Sequence, residues 1–166
     1  LETEWGNLEL GPGELAVVPK GVGRRSSSSL WSVVLLFQPK ALPDRRNGDR
    51  SVFALKGERR IEKVSVNAEA ARLLDYSEPS GLACLDGFVV RLSLCLGESH
   101  WHEHEGRDEF LFVQEGVVEL GTEGETVSVR AGEMTVVPKG MIHRLAPGDG
   151  AVVMLLERQA PTSGGR

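Results

Sequence analysis

At 166 residues the chain is long enough for one domain with a buried core, plus an appendage. Its net charge of −5 argues against a nucleic-acid-binding surface, and no apolar run approaches the roughly 18 residues of a membrane span. Twenty glycines among short alternating runs of Val and Leu favour an all-β protein with many turns.

Residues 1–40 repeat a later part of the chain. At a constant offset of 119 they align without a gap: Gly13-Glu-Leu-Ala-Val-Val-Pro-Lys-Gly21 lies on Gly132-Glu-Met-Thr-Val-Val-Pro-Lys-Gly140. Arg25 lies on Arg144, and Val33-Val-Leu-Leu36 on Val152-Val-Met-Leu155. A repeat of this length predicts a repeated structural unit. Arg24 stands where the later copy has His143, so the N-terminal copy lacks that imidazole.

Residues 41–60 read as a linker. Pro43-Asp-Arg-Arg-Asn-Gly-Asp49 is turn chemistry, and Arg45, Arg46, Arg50, Lys56, Arg59 and Arg60 read as a solvated basic stretch. A second domain is predicted over 61–160. It opens with a strand at 61–66, then a short helix through 68–75 capped by Asn67, a break at 77–81 and a strand at 87–96. Short strands follow at 109–113, 117–120, 126–130, 134–137, 141–145 and 151–156, joined by Gly-containing turns in the spacing of a barrel or jelly roll. Residues 161–166 have the composition of a disordered tail. Trp101, Phe112, Met134, Val136 and Met141 are expected in the core, some of them lining an apolar cavity. Cys84 and Cys95 read as reduced thiols, and no signal peptide opens the chain, so a cytoplasmic protein is expected.

The chemistry is concentrated in two stretches, 97–116 and 132–143. His102 and His104 are two apart, which in a strand puts both imidazoles on one face. Glu109 is five residues beyond His104, the wrong parity for that face, but Glu105-Gly-Arg-Asp108 reads as a turn that resets it. His143 follows the turn Pro138-Lys-Gly140, which returns the chain across the sheet with a third imidazole. Three neutral nitrogens and one carboxylate suit a divalent first-row ion with open positions: Fe, Mn, Ni or Zn. His100 is a candidate group supporting a ligand, or an acid or base at the mouth of such a site, or else a loop histidine. Asp108 reads as solvent-facing or as orienting a ligand. Arg91 and Arg144 are the basic candidates near the site; inward they would anchor a carboxylate, and outward exposure is the expectation for both. There is no Ser-His-Asp set, no phosphate-cradling Gly loop and no Cys-based zinc signature.

These residues resemble a cupin. The family's first motif is Gly, a short spacer, His-x-His, three or four residues, Glu, six residues, Gly; here His102, His104, Glu109 and Gly116 fit it. Its second is Gly-x5-Pro-x-Gly-x2-His-x3-Asn, matched by Gly132, Pro138, Gly140 and His143. Four residues rather than five separate Gly97 from His102, and Pro147 replaces the usual Asn; neither change touches a ligand. From Lys63 to about 160 the chain is similar to small single-domain cupins with a Trp-His-x-His opening, carried here by Trp101-His-Glu-His104. The resemblance implies a cupin-type double-stranded β-helix, a jelly-roll barrel, with extra N-terminal strands from a partial second repeat. It also implies a homodimer, to which the N-terminal half-repeat offers further sheet surface.

The N-terminal copy then resembles the second half of another, metal-free cupin barrel. It reads as the tail of a two-cupin protein, as an extension covering a sheet edge, or as a persisting half-sheet; the stretch 3–10 is also similar to the metal-free barrel of homogentisate-dioxygenase-like bicupins. The function expected is that of a metal-dependent cupin, a non-haem dioxygenase acting on a small organic or aromatic acid. The alternatives are a non-catalytic small-ligand binder and a metal-dependent isomerase or lyase.

Overall fold

A computed structural model describes residues 1–37, 61–73, 80–85 and 87–158. The linker expected at 41–60, the tail at 161–166 and residues 74–79 lie outside the described residues. The chain divides into two compact units, Leu1–Val64 and Ser65–Arg166.

The first unit is built from very short strands. β1 (Glu2–Thr3) pairs with β2 (Gly6–Asn7) on one side and with β4 (Arg24–Arg25) on the other. β3 (Glu14–Ala16) pairs with β5 (Lys63–Ser65), and Lys63 Nζ lies 2.9 Å from Glu14 Oε2.

The second unit begins with a short helix, α1 (Val66–Ala70). Its N-cap is Ser65, whose hydroxyl accepts from the Ala68 amide at 3.2 Å. Ser65 therefore takes the capping role expected of Asn67, whose side chain is instead bonded to Gln114 Nε2 at 2.9 Å. Both residue types cap well, and Ser65 is the one with its hydroxyl on a free first-turn amide.

The strands β6 (Ser80–Leu85), β7 (Phe88–Cys95), β8 (Glu109–Thr122), β9 (Thr126–Arg130), β10 (Met134–Val137) and β11 (His143–Arg158) form one antiparallel sheet. Its order is β10-β8-β11-β7-β6, with β9 also on β8. Two of these strands merge pairs that the sequence divided. β8 runs through Gly116 and β11 runs from His143 past Pro147 and Gly150, each pairing with different neighbours before and after its bend. The register between β8 and β11 slips at two points, and after Gly116 the buried positions change parity from Leu111 and Val113 to Val118 and Leu120. Both halves thus turn the same way, onto a core of Leu111, Val113, Val118, Val129, Ala151, Val153 and Leu155. This is the curled all-β architecture of a jelly roll.

Four expected core residues lie elsewhere: Trp101, Met134, Val136 and Met141 are exposed, Met134 at 51% and Val136 at 55%. β10 ends the strand order, and alternation along it buries Val137 while turning Met134 and Val136 outward. Phe112, beside Met134, is half-buried. Cys84 and Cys95 are both free thiols.

The offset of 119 also carries the pairing. Glu2↔Arg25 and Thr3↔Arg24 correspond to Gly121↔Arg144 and Thr122↔His143, and Glu2↔Asn7 to Gly121↔Thr126. The turn contacts correspond too. Gly11 N donates to Glu14 Oε2 as Arg130 N does to Glu133 Oε2, and Val22 N donates to Pro19 O as Met141 N does to Pro138 O. Gly13 and Gly132, and Gly21 and Gly140, share positive φ.

Candidate metal centre

Three of the chain's four histidines and Glu109 converge: the ligand atoms of His102, His104, Glu109 and His143 all lie within 4.8 Å of one another. The fold has to bend to allow it. His143 pairs with Thr122, at the far end of β8 from Glu109. A straight strand of 14 residues would separate those ends by more than about 40 Å. Instead Glu109 Oε2 is 3.0 Å from His143 Nε2 and 3.3 Å from His104 Nε2. Gly116 makes the bend possible: its φ is +83°, and a Cβ there would meet the Gly150 carbonyl oxygen at 2.4 Å.

His102 and His104 share a face for a reason other than the one expected. Neither is in a regular strand; His102 makes an isolated bridge to His143, with 2.9 Å bonds in both directions. His104 is held through its carbonyl, which accepts from Gly140 N at 3.0 Å. Asp108 Oδ1 accepts from Lys139 N at 3.0 Å, so the 105–108 turn is tied to the 138–140 turn, and Asp108 is outside the ligand group.

Two ring orientations are fixed by groups that carry no sequence signal. His102 Nδ1 is 2.8 Å from the His100 carbonyl and His143 Nδ1 is 2.9 Å from the Met141 carbonyl. A carbonyl only accepts, so each Nδ1 carries the proton and each Nε2 is left to face the cluster. His100 enters through its backbone carbonyl; its side chain is exposed and outside the ligand group.

The arginines point to other partners. Arg144 forms an ion pair with Glu98 and lies over the Trp101 ring, 5.2 Å from its centroid, across Gly121. Arg91 pairs with Glu157 at 3.0 Å. A pocket of about 320 Å³ is lined by Phe88, Gly106, Arg107, Asp108, Lys139, Leu156 and Arg158, none of them a member of the ligand group.

The donor set fits a cation. His143 is fully buried, Glu109 nearly so, and His104 Nε2 is buried with no hydrogen-bond partner. Unpaired buried nitrogen is costly unless something fills it, and one carboxylate oxygen facing two ring nitrogens is an arrangement that a shared ion would satisfy. The chemistry of three imidazoles and a carboxylate suits a divalent first-row metal.

The Cupin domain family model matches residues 96–156, which hold all four candidate ligands. A solved Neisseria meningitidis protein is 31% identical with a TM-score of 0.54, over 59% of this chain and 100% of that one. The chain belongs to the cupin superfamily. A cupin-2 domain protein from Shewanella frigidimarina is 27% identical with a TM-score of 0.56, covering 58% of this cupin and 94% of that chain. The uncharacterized Bacillus subtilis protein YdbB is 38% identical over 56 residues, 33% of this cupin. This cupin spans about half (50%) of that curated relative's length. Among the described residues no helix is long and apolar enough to cross a membrane.

Proposed function

We propose that this cupin binds one divalent first-row metal ion through His102, His104, Glu109 and His143 and acts as a non-haem dioxygenase on a small organic or aromatic acid. The observation that carries the reading is the convergence of three imidazole nitrogens and one carboxylate oxygen, one of those nitrogens, His104 Nε2, being buried without a hydrogen bond. Four protein ligands leave positions of a six-coordinate ion open to small molecules. The ion would supply Lewis acidity and, as iron, oxygen chemistry. The chain's own contribution is orientation: the His100 and Met141 carbonyls hold two rings with Nε2 inward, and Glu109 balances charge. Arg91 and Arg144 have glutamate partners, so the acid is read as held by its own donor atoms on the ion rather than by either of these two arginines.

The test is elemental analysis of protein purified without a metal-affinity step, beside His102→Ala. Near-stoichiometric iron that disappears in the variant, with oxygen uptake on adding candidate acids, is the expected result. Stoichiometric zinc, nickel or manganese would replace the dioxygenase with isomerase or lyase chemistry. No metal in either protein would end the metal reading.

A further inference from the structure

The carbonyl that orients the His102 ring belongs to His100, and the hydrogen bonds around it show what holds it in place. Ser99 N donates to Leu145 O at 2.8 Å, and His102 and His143 exchange amide bonds at 2.9 Å. Between these two anchors the ligand-bearing segment has His100 and Trp101, whereas β11 has Arg144 alone. Two residues opposite one is the count of a β-bulge, a device that re-aims the groups beside it. In an unbulged antiparallel pair the Leu145 amide would go to the Ser99 carbonyl; here it donates to Ser99 Oγ at 2.8 Å. The same hydroxyl donates to His100 O at 3.2 Å, and that carbonyl accepts from His102 Nδ1 at 2.8 Å. A hydroxyl accepts and donates at once. One half-buried side chain thus links β11, two residues beyond His143, to the carbonyl facing His102.

We propose that Ser99 is a positioning residue of the metal centre. Its hydroxyl fixes the bulge and, through the His100 carbonyl, keeps the His102 proton on Nδ1 so that Nε2 offers its lone pair to the ion. The inference rests on the metal reading of the site and adds to it a residue outside the ligand group. Without the hydroxyl the Leu145 amide loses its acceptor and the His100 carbonyl loses one of its two donors. The peptide between His100 and Trp101 can then turn. Once that carbonyl leaves Nδ1, the ring is free to carry its proton on Nε2, the tautomer that cannot bind a metal through that atom.

Two measurements on the full chain test this: ring-nitrogen NMR of the metal-free protein with its imidazoles neutral, and titration with Co(II). In the wild type His102 is expected as the Nδ1–H tautomer alone. Ser99→Ala should populate both tautomers and weaken Co(II) binding by about 10-fold. Ser99→Thr, which keeps the hydroxyl, should restore both readouts. Ser99→Val, the same shape as threonine without the hydroxyl, should not, and this pair decides the matter if the alanine variant folds poorly. In a His102→Ala background Ser99→Ala should leave the residual Co(II) affinity unchanged, because the carbonyl then has no ring to orient. An unchanged tautomer in Ser99→Ala and Ser99→Val would overturn the proposal, as would a changed tautomer with unchanged Co(II) affinity. An equal loss of affinity with and without His102 would also overturn it, since Ser99 would then act on the fold at large. A wild type that takes up no Co(II) would instead end the metal reading itself, and the tautomer alone would then decide whether Ser99 orients His102.

Discussion

The bend at Gly116 is the point at which backbone geometry and metal binding meet, and replacing it with alanine separates two costs. The φ of +83° disfavours any side chain by about 1–2 kcal/mol. The added Cβ would also sit 2.4 Å from Gly150 O and 3.0 Å from Ala151 Cα, both backbone atoms that move only if β11 moves. Overpacking of that kind costs about 1–3 kcal/mol, so Gly116→Ala loses about 2–5 kcal/mol in all. Gly97→Ala is the control, because Gly97 has φ +74° but no atom within 4 Å of a built Cβ. It pays the conformational part alone, about 1–2 kcal/mol. Because the bend brings Glu109 to His143, Gly116→Ala is also expected to weaken metal binding by about 10–100-fold, the size of effect seen when ligand support is disturbed. Urea denaturation of the metal-free variants gives the first quantity and metal titration the second. Equal destabilisation by the two alanines, or an unchanged dissociation constant in Gly116→Ala, would refute the argument.

Three further outcomes are expected. Glu109→Gln keeps the side chain's shape but removes its charge, so calorimetry should record a metal affinity at least about tenfold lower, roughly 1.4 kcal/mol. A divalent ion at about 100 times its dissociation constant should stabilise the wild type by about 2.7 kcal/mol, read as a rise in melting temperature that His143→Ala does not show. Burial, ahead of its other contacts, raises the pKa of the Cys95 thiol above its ordinary value. Thiolate is then scarce, and Cys95 should alkylate more slowly than a free cysteine. The folded state holds this proton more tightly, so the stability it adds is present at neutral pH and is lost as pH rises through the folded value; Cys95→Ser should flatten the alkaline side of a pH–stability profile.

The grouping of His102, His104, Glu109 and His143 was legible because metal chemistry restricts residue type and spacing together: the four are recognisable as candidate ligands before any element is placed. The means of bringing them together was less so. Strand alternation appeared to explain His102 and His104, yet one lies in a single bridge and the other hangs from the Gly140 amide. The sequence also divided β8 at Gly116, because a glycine between apolar runs is ordinary turn chemistry. Only the tertiary pairing with β11 keeps the strand continuous through that kink. Met134 and Val136 read as core by hydrophobicity, but position at the end of the sheet order overrides composition.

The matched turns of the two units bear on how a metal ion would enter. The turn at 19–21 repeats the 138–140 turn with the same hydrogen bond and the same left-handed glycine, although Arg24 replaces the histidine ligand. The copy with Arg24 in place of the histidine forms the same turn, so that turn's shape is a property of the local chain and not of the histidine it precedes. Residues 98–108 have no regular strand of their own and are joined to the wall carrying His143 by the His102 bridge and the His104 and Asp108 contacts. Two of the four candidate ligands, His102 and His104, lie in that segment and His143 lies on the wall, so an ion held by all four would tie the segment to the wall.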